Sequence, residues 1–214
     1  MIQNIVFDMG HVLIYFQPQV LIERLGITGG DKELLLREVF RDVEWIQLDR
    51  GSLPEEEAVR ILCGRLPKRL HGAVEELVCG WWKRPLVPVE GMEELVAQLK
   101  GAGYGIYLLS NASRQLHRYF DRIPGSQYFD GRIVSADWQL LKPQKEIYEK
   151  LYEVYGLKPE ECFFIDDQPV NVEGAYRTGM AGTVFDGDLE RLRKRLCQVL
   201  GVKFCGDRSN EEDR

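Results

Sequence analysis

The chain has 214 residues, of which 44% are hydrophobic and 29% charged, with a formal net charge of −6. This is the balance of a soluble globular protein long enough for a full core, and its acidic sign argues against nonspecific nucleic-acid binding. No charged-then-apolar leader opens the sequence, no apolar run could cross a bilayer, and the five cysteines lack C-x-x-C spacing; membrane partners, a zinc site and a disulfide framework are therefore not expected, and a reducing cytoplasm is the simplest home.

The apolar run over residues 2–7 has β-branched members and is short enough for a fully buried strand, ending on Asp8 with Gly10 just beyond. In an open α/β sheet, ligands sit beyond the carboxyl ends of the strands, which puts Asp8 where chemistry is expected. Helical signals follow. Residues 18–25 read as a short helix closed by Gly26. Asp31 is placed to cap a helix over 32–43, and Ser52-x-x-Glu55 has the spacing of a capping box. Ala58, Ile61, Leu62 and Leu66 form one helical stripe, and a further helix over 73–82 stops before Pro85. Residues 15–88 thus read as all-helical.

From Gly91 the pattern changes to alternating helices and strands. Met92, Leu95, Val96 and Leu99 mark a helix, and residues 104–109 a buried strand ending in Ser110-Asn111. Ser113 reads as the start of a helix carrying Leu116, Tyr119 and Phe120. A weak strand at 132–134 leads to Lys142-Pro143 and a helix with Ile147, Leu151 and Val154 inside. A strand over 162–165 ends in Asp166-Asp167; a helix, a strand at 182–185 and a closing helix over 189–200 complete the pattern. The polar end, 201–214, reads as a disordered tail. Strand, helical block, then repeated α/β units predict an α/β protein: a parallel sheet between helices, interrupted after its first strand by a helical insertion.

Four polar groups then fall at the ends of strands or the start of a helix: Asp8, Ser110-Asn111, Lys142 and Asp166-Asp167. In a parallel sheet these ends point the same way and can meet in one crevice. The acids make a hard oxygen site suited to Mg²⁺, a hydroxyl with backbone N–H groups suits a phosphate, and a lysine balances both anions. Taken singly, each has a plainer reading: Ser110 or Ser113 as a helix cap, Lys142 as a solvated side chain. Adjacent acids after a buried strand are harder to dismiss, because they repel each other unless a cation is present.

With these motifs in order — Phe7-Asp8-Met9-Gly10, Leu109-Ser110-Asn111, Lys142-Pro143, and Ile165-Asp166-Asp167 with Asn171 — the sequence resembles the haloacid dehalogenase (HAD) superfamily of hydrolases over residues 1 to about 200. The D-M-G-H-V, K-P-x-x-x-I-Y and D-D-x-x-x-N-V-E-G-A stretches resemble its bacterial sugar-phosphate branch, the α-D-glucose-1-phosphate phosphatases. The resemblance implies a three-layer Rossmann-like core from residues 1–14 and 89–200, with residues 15–88 as a helical cap. It implies a Mg²⁺-dependent phosphatase acting on a small phosphorylated metabolite. Asp8 would be the nucleophile forming an aspartyl-phosphate, Ser110 and the amide of Asn111 would bind phosphoryl oxygens, and Lys142 would stabilise the phosphoryl group and orient Asp8. Asp8, Asp166, Asp167 and the Gly10 carbonyl would hold the metal.

Gly10 departs from the pattern, because most phosphatases of the superfamily carry a second Asp there as general acid and base. Its absence predicts a rate that depends steeply on leaving-group acidity. His11 is the neighbouring candidate for the missing donor, although adjacent residues of an extended chain point to opposite sides. Trp45 is the candidate for substrate specificity in the cap. Two alternatives stay open: a 2-haloacid dehalogenase, which also lacks the second Asp but needs no metal, and a non-catalytic binding or regulatory protein. Oligomeric state is not legible.

Overall fold

A computed structural model describes residues 1–201; the tail expected over 201–214 lies outside the described residues except for Gly201. In chain order the strands are β1 (Asn4–Phe7), β2 (Ile14–Tyr15), β3 (Val87–Pro88), β4 (Gly105–Ser110), β5 (Gly131–Val134), β6 (Cys162–Asp166) and β7 (Ala181–Val184). Five of them form one sheet in the order β5-β4-β1-β6-β7, with every pair parallel. The order reverses at β1, so the crevice beyond its carboxyl end is flanked by β4 and β6.

Period-two alternation divides the strand side chains between two cores. Ile5, Phe7, Ile106, Leu108, Phe163 and Ile165 face one side, packed with helices Met92–Gly101 and Leu189–Leu200. Val6, Leu109, Ile133 and Phe164 face the other, packed with helices Lys145–Tyr155 and Pro169–Arg177. Burial on both faces is what a parallel sheet requires, and it explains why β1 and β6 read as continuous apolar runs. The closing helix runs as its sequence dictates: Asp188 accepts the Arg191 N–H at 2.9 Å, Leu192 and Leu196 are buried, and Gly201 ends it at φ +69°.

Helices Pro18–Glu23, Gly29–Leu35, Val43–Arg50, Glu55–Arg65 and His71–Cys79 enclose a separate core of Leu21, Ile22, Leu35, Val39, Leu48, Leu62, Val74 and Leu77. Four local expectations differ from the structure. Residue 15 and residues 87–88 are not helical: β2 and β3 pair as an antiparallel ribbon, Ile14 opposite Pro88 and Tyr15 opposite Val87, where the chain leaves and re-enters the core. Asp31 does not cap its helix, which starts behind Thr28; its carboxylate pairs with Arg69 instead. The Ser52 hydroxyl donates back to the Gln47 carbonyl and makes no capping box, so the next helix begins behind Pro54. Nor does Ser113 open a long helix; only Leu116–Tyr119 is α-helical there. Among the described residues no helix is long and apolar enough to cross a membrane.

Candidate active site

Asp8 is the first residue past β1, and its backbone N–H still donates to Ile165 of β6 at 2.9 Å, fixing the direction of its side chain. The chain then folds over itself: the Leu13 and Ile14 N–H groups donate to the Met9 carbonyl, and His11 N–H to Ile14. His11 takes the left-handed conformation, φ +56°, and is exposed with its ring edge-on to Tyr15. Gly10 has neither a left-handed φ nor any atom within 4 Å of where a Cβ would stand. The backbone therefore does not demand a glycine here.

Lys142 reaches this point from the loop before helix Lys145–Tyr155. Its Nζ donates to Asp8 Oδ1 at 2.7 Å, Asp166 Oδ2 at 2.7 Å and the Leu109 carbonyl at 2.8 Å, and its side chain is 1% exposed. These acceptors use the three ammonium protons. Asn111 fastens the loop: its Oδ1 accepts the Lys142 N–H at 2.8 Å and its Nδ2 donates to the Lys142 carbonyl at 3.1 Å. The Lys142-Pro143 peptide is cis. Asp166 is fully buried and also accepts from the Gln168 N–H and the Asn171 amide. Asn171 thus orients Asp166, and Asn111 orients Lys142.

Burial disfavours the charged carboxylate of Asp8, and with the repulsion of Asp166 it outweighs the attraction of Lys142; the Asp8 pKa is pushed up to about 7. Burial, with a contribution from Asp166, also raises Asp167. Lys142 loses charge stability by burial but gains more from Asp8 and Asp166, so it is held above its ordinary value. Oxygens of Asp8, Asp166 and Asp167 lie within 4.8 Å of one another. Opposite ligands of a Mg²⁺ ion stand roughly 4.2 Å apart, so the spacing suits a hard cation, as does the all-oxygen donor set. Three carboxylates against one ammonium leave excess negative charge that such an ion would offset. These residues fit Mg²⁺.

Above the acids lies a cavity of about 200 Å³. Asp8, Gly10, His11, Ser110, Asn111 and Asp167 lie on its core side, with Phe16, Trp45, Leu48, Asp49, Val78 and Trp81 opposite. Ser110, at the end of β4, is buried. The aromatic side chains support each other: Phe16 stacks on Trp45 at 5.6 Å, Phe40 meets Trp45 at 4.6 Å, and Trp81 meets Tyr119 edge-on at 5.3 Å. The residues picked out from the sequence, Asp8, Gly10, His11, Trp45, Ser110, Asn111, Lys142, Asp166 and Asp167, are thus brought together, with His11 at the exposed margin.

Residues 2–179 match the haloacid dehalogenase-like hydrolases. The chain belongs to this family. Within it, flavin mononucleotide hydrolase 1 of Arabidopsis thaliana is 30% identical over 170 residues, which are 78% of this chain and 66% of that protein, just under two thirds of its length. A sesquiterpene phosphatase of Aspergillus oryzae is 28% identical over 190 residues, 83% of this chain and 86% of the relative. Among solved structures, a HAD family enzyme of Bacteroides thetaiotaomicron, crystallised with magnesium and inorganic phosphate, superposes with a TM-score of 0.69 at 22% identity, covering 90% of this chain and 99% of that one. The L-2-haloacid dehalogenase of Xanthobacter autotrophicus gives 0.65 at 18% identity, over 93% and 83% of the two chains. At those identities the structural likeness speaks for the HAD fold alone.

Sequence reasoning missed Phe16, Tyr119 and Gln115, which reach the cavity, and Asp49, and it gave Trp81, a tryptophan of the cap like Trp45, no role. The first three look like ordinary helix or core positions, and spacing carries no signal for them. Asp49 did carry one. It lies in the last turn of helix Val43–Arg50, where the negative end of the helix dipole disfavours a carboxylate.

Proposed function

We propose that this protein is a Mg²⁺-dependent phosphatase that hydrolyses a small phosphate monoester through an aspartyl-phosphate on Asp8. The observation that carries this reading is the acid cluster threaded by Lys142 at the floor of a cavity. Asp8, Asp166 and Asp167, with the Gly10 carbonyl, would hold the ion. Bound there, Mg²⁺ would neutralise negative charge on the phosphoryl oxygens. Lys142 orients Asp8 and supplies a fixed positive charge beside the attacking oxygen. Ser110 and the Asn111 N–H would receive the phosphoryl oxygens, in a site whose groups are already placed before reaction. The acid cluster favours this over the dehalogenase reading, which needs no metal.

For the leaving group, the lining points away from the sugar phosphate expected at first. Its polar members are largely committed: Asn111 to Lys142, and Gln115 to the Trp82 indole N–H and the Val78 carbonyl. Phe16, Trp45, Trp81, Leu48 and Val78 offer flat or apolar contact. A phosphate ester of a flat or apolar organic group suits such walls better than a polyhydroxyl one, in keeping with relatives named for flavin mononucleotide and a sesquiterpene.

A phosphate-release assay with and without Mg²⁺ tests both parts. Activity should require Mg²⁺ and vanish with chelator, and kcat/KM should be at least about tenfold higher for flavin mononucleotide or a sesquiterpenyl phosphate than for glucose 1-phosphate, since a tenfold preference needs only about 1.4 kcal/mol of apolar contact. Activity unaffected by chelation would refute the metal assignment, and preference for the sugar ester would refute the apolar one.

A further inference from the structure

Resting on the phosphatase reading, we infer that Asp49, a residue of the helical block rather than of the sheet, supplies the leaving-group proton that Gly10 cannot. Asp49 lines the same cavity as Asp8 and Gly10, from the opposite wall. It is held there from two sides. The Ser113 N–H near its carboxylate favours the charged form, against the larger effect of burial, and its backbone carbonyl receives the hydroxyl of Ser135, which in turn accepts the Ala112 N–H at 2.8 Å. Ser113 lies in the loop after β4 and Ser135 opens the short helix Ser135–Trp138 after β5, so the end of this helix is pinned to the core. Gly51, two residues on, permits the close approach: at φ +74°, any Cβ there would run into the Ala136 carbonyl.

The surroundings favour a carboxyl that keeps its proton. The ionisable groups that share the cavity with it are Asp8 and Asp167 on the core side, Tyr119 and, at the margin, His11; no lysine or arginine lines the cavity among the described residues. Burial and the charge of Asp8 hold Asp49 well above the usual carboxylate range. The dipole of its own helix acts in the same direction. A neutral acid facing a nucleophile that the Mg²⁺ of the phosphatase reading would hold ionised is the division of labour that general acid catalysis needs.

In the first step an Asp8 carboxylate oxygen attacks phosphorus and the bond to the leaving oxygen breaks. That oxygen keeps the electron pair and takes the Asp49 proton, giving the free alcohol, an acyl phosphate on Asp8 and ionised Asp49. Water then attacks phosphorus and gives one proton to Asp49. The Asp8 carboxylate departs, inorganic phosphate is released and both acids return to their starting states.

The test is kcat/KM, with Mg²⁺, across esters from p-nitrophenyl phosphate to a simple alkyl phosphate, for wild type and Asp49→Asn. Wild type should depend weakly on leaving-group pKa. Asp49→Asn should lose about 10²-fold or more on the alkyl ester but less than about tenfold on p-nitrophenyl phosphate. Gly10→Asp added to that variant, where a side chain has room, should recover most of the alkyl activity. Equal losses on both esters, or none, would overturn the inference. So would a steep wild-type dependence, which decides the matter even if Asp49→Asn fails to fold. A wild type inactive on every ester, with or without Mg²⁺, would instead refute the phosphatase reading and take this inference with it.

Discussion

At the scale of single residues, Lys142 has the most depending on it. Its ammonium satisfies three buried acceptors and separates two acids that would otherwise face each other unpaired. Lys142→Met keeps most of the length and removes the charge, which should cost about 3–5 kcal/mol by denaturant unfolding of the metal-free protein at pH 8, along with activity. The loss should shrink as the pH falls through about 7, where folded Asp8 takes up a proton and no longer needs the ammonium. A variant of wild-type stability at pH 8 would mean that the acids are neutralised some other way. The motif residues were legible because each is a polar group at the end of an apolar run, a contrast visible in one dimension. What the sequence does not display is partnership. That the Asn111 side chain grips both backbone groups of Lys142, 31 positions away, follows only from β4 and the following loops meeting in space.

Among the elements, the sheet was readable and the helical block less so. Strands β1, β4 and β6 are buried on both faces and so are apolar without interruption, whereas the two-residue strands of the β2–β3 ribbon are too short for any periodicity. Capping patterns at Asp31 and Ser52 misled because both side chains found partners elsewhere, Arg69 and Gln47. The contact between the end of helix Val43–Arg50 and Ala136 depends on Gly51. Gly51→Ala combines a strained left-handed conformation with a steric clash, and should destabilise by about 1–3 kcal/mol. Because the clash also lifts Asp49 from the cavity, alkyl phosphatase activity should fall more than aryl activity. Comparing the two activities with the unfolding midpoint checks this; an unchanged ratio would detach Gly51 from the site.

For the whole molecule, the acid cluster makes stability depend on pH and metal together. Folded Asp8 has a pKa of about 7 against an ordinary 3.8, and Asp167 is also raised. Between those two values the folded state binds a proton that the unfolded state does not, so metal-free stability should fall as pH rises from about 4 to about 7 and stay low above. Mg²⁺ binds only the folded protein and should restore stability most at the high end. Unfolding midpoints against pH, with and without Mg²⁺, should converge in acid and separate above neutrality; parallel curves would argue against a metal among these acids.

The central claim, that Asp8 carries the phosphoryl group, is tested most directly by trapping it. Wild-type protein, incubated with a ³²P-labelled aryl phosphate and Mg²⁺ and then quenched in acid, should retain label on the peptide containing Asp8, and hydroxylamine should release it as expected for an acyl phosphate. Asp8→Asn, nearly isosteric, should fold, retain no label and turn over no substrate. Phosphate release at the wild-type rate by a folded Asp8→Asn protein, or label on any other residue, would contradict the account.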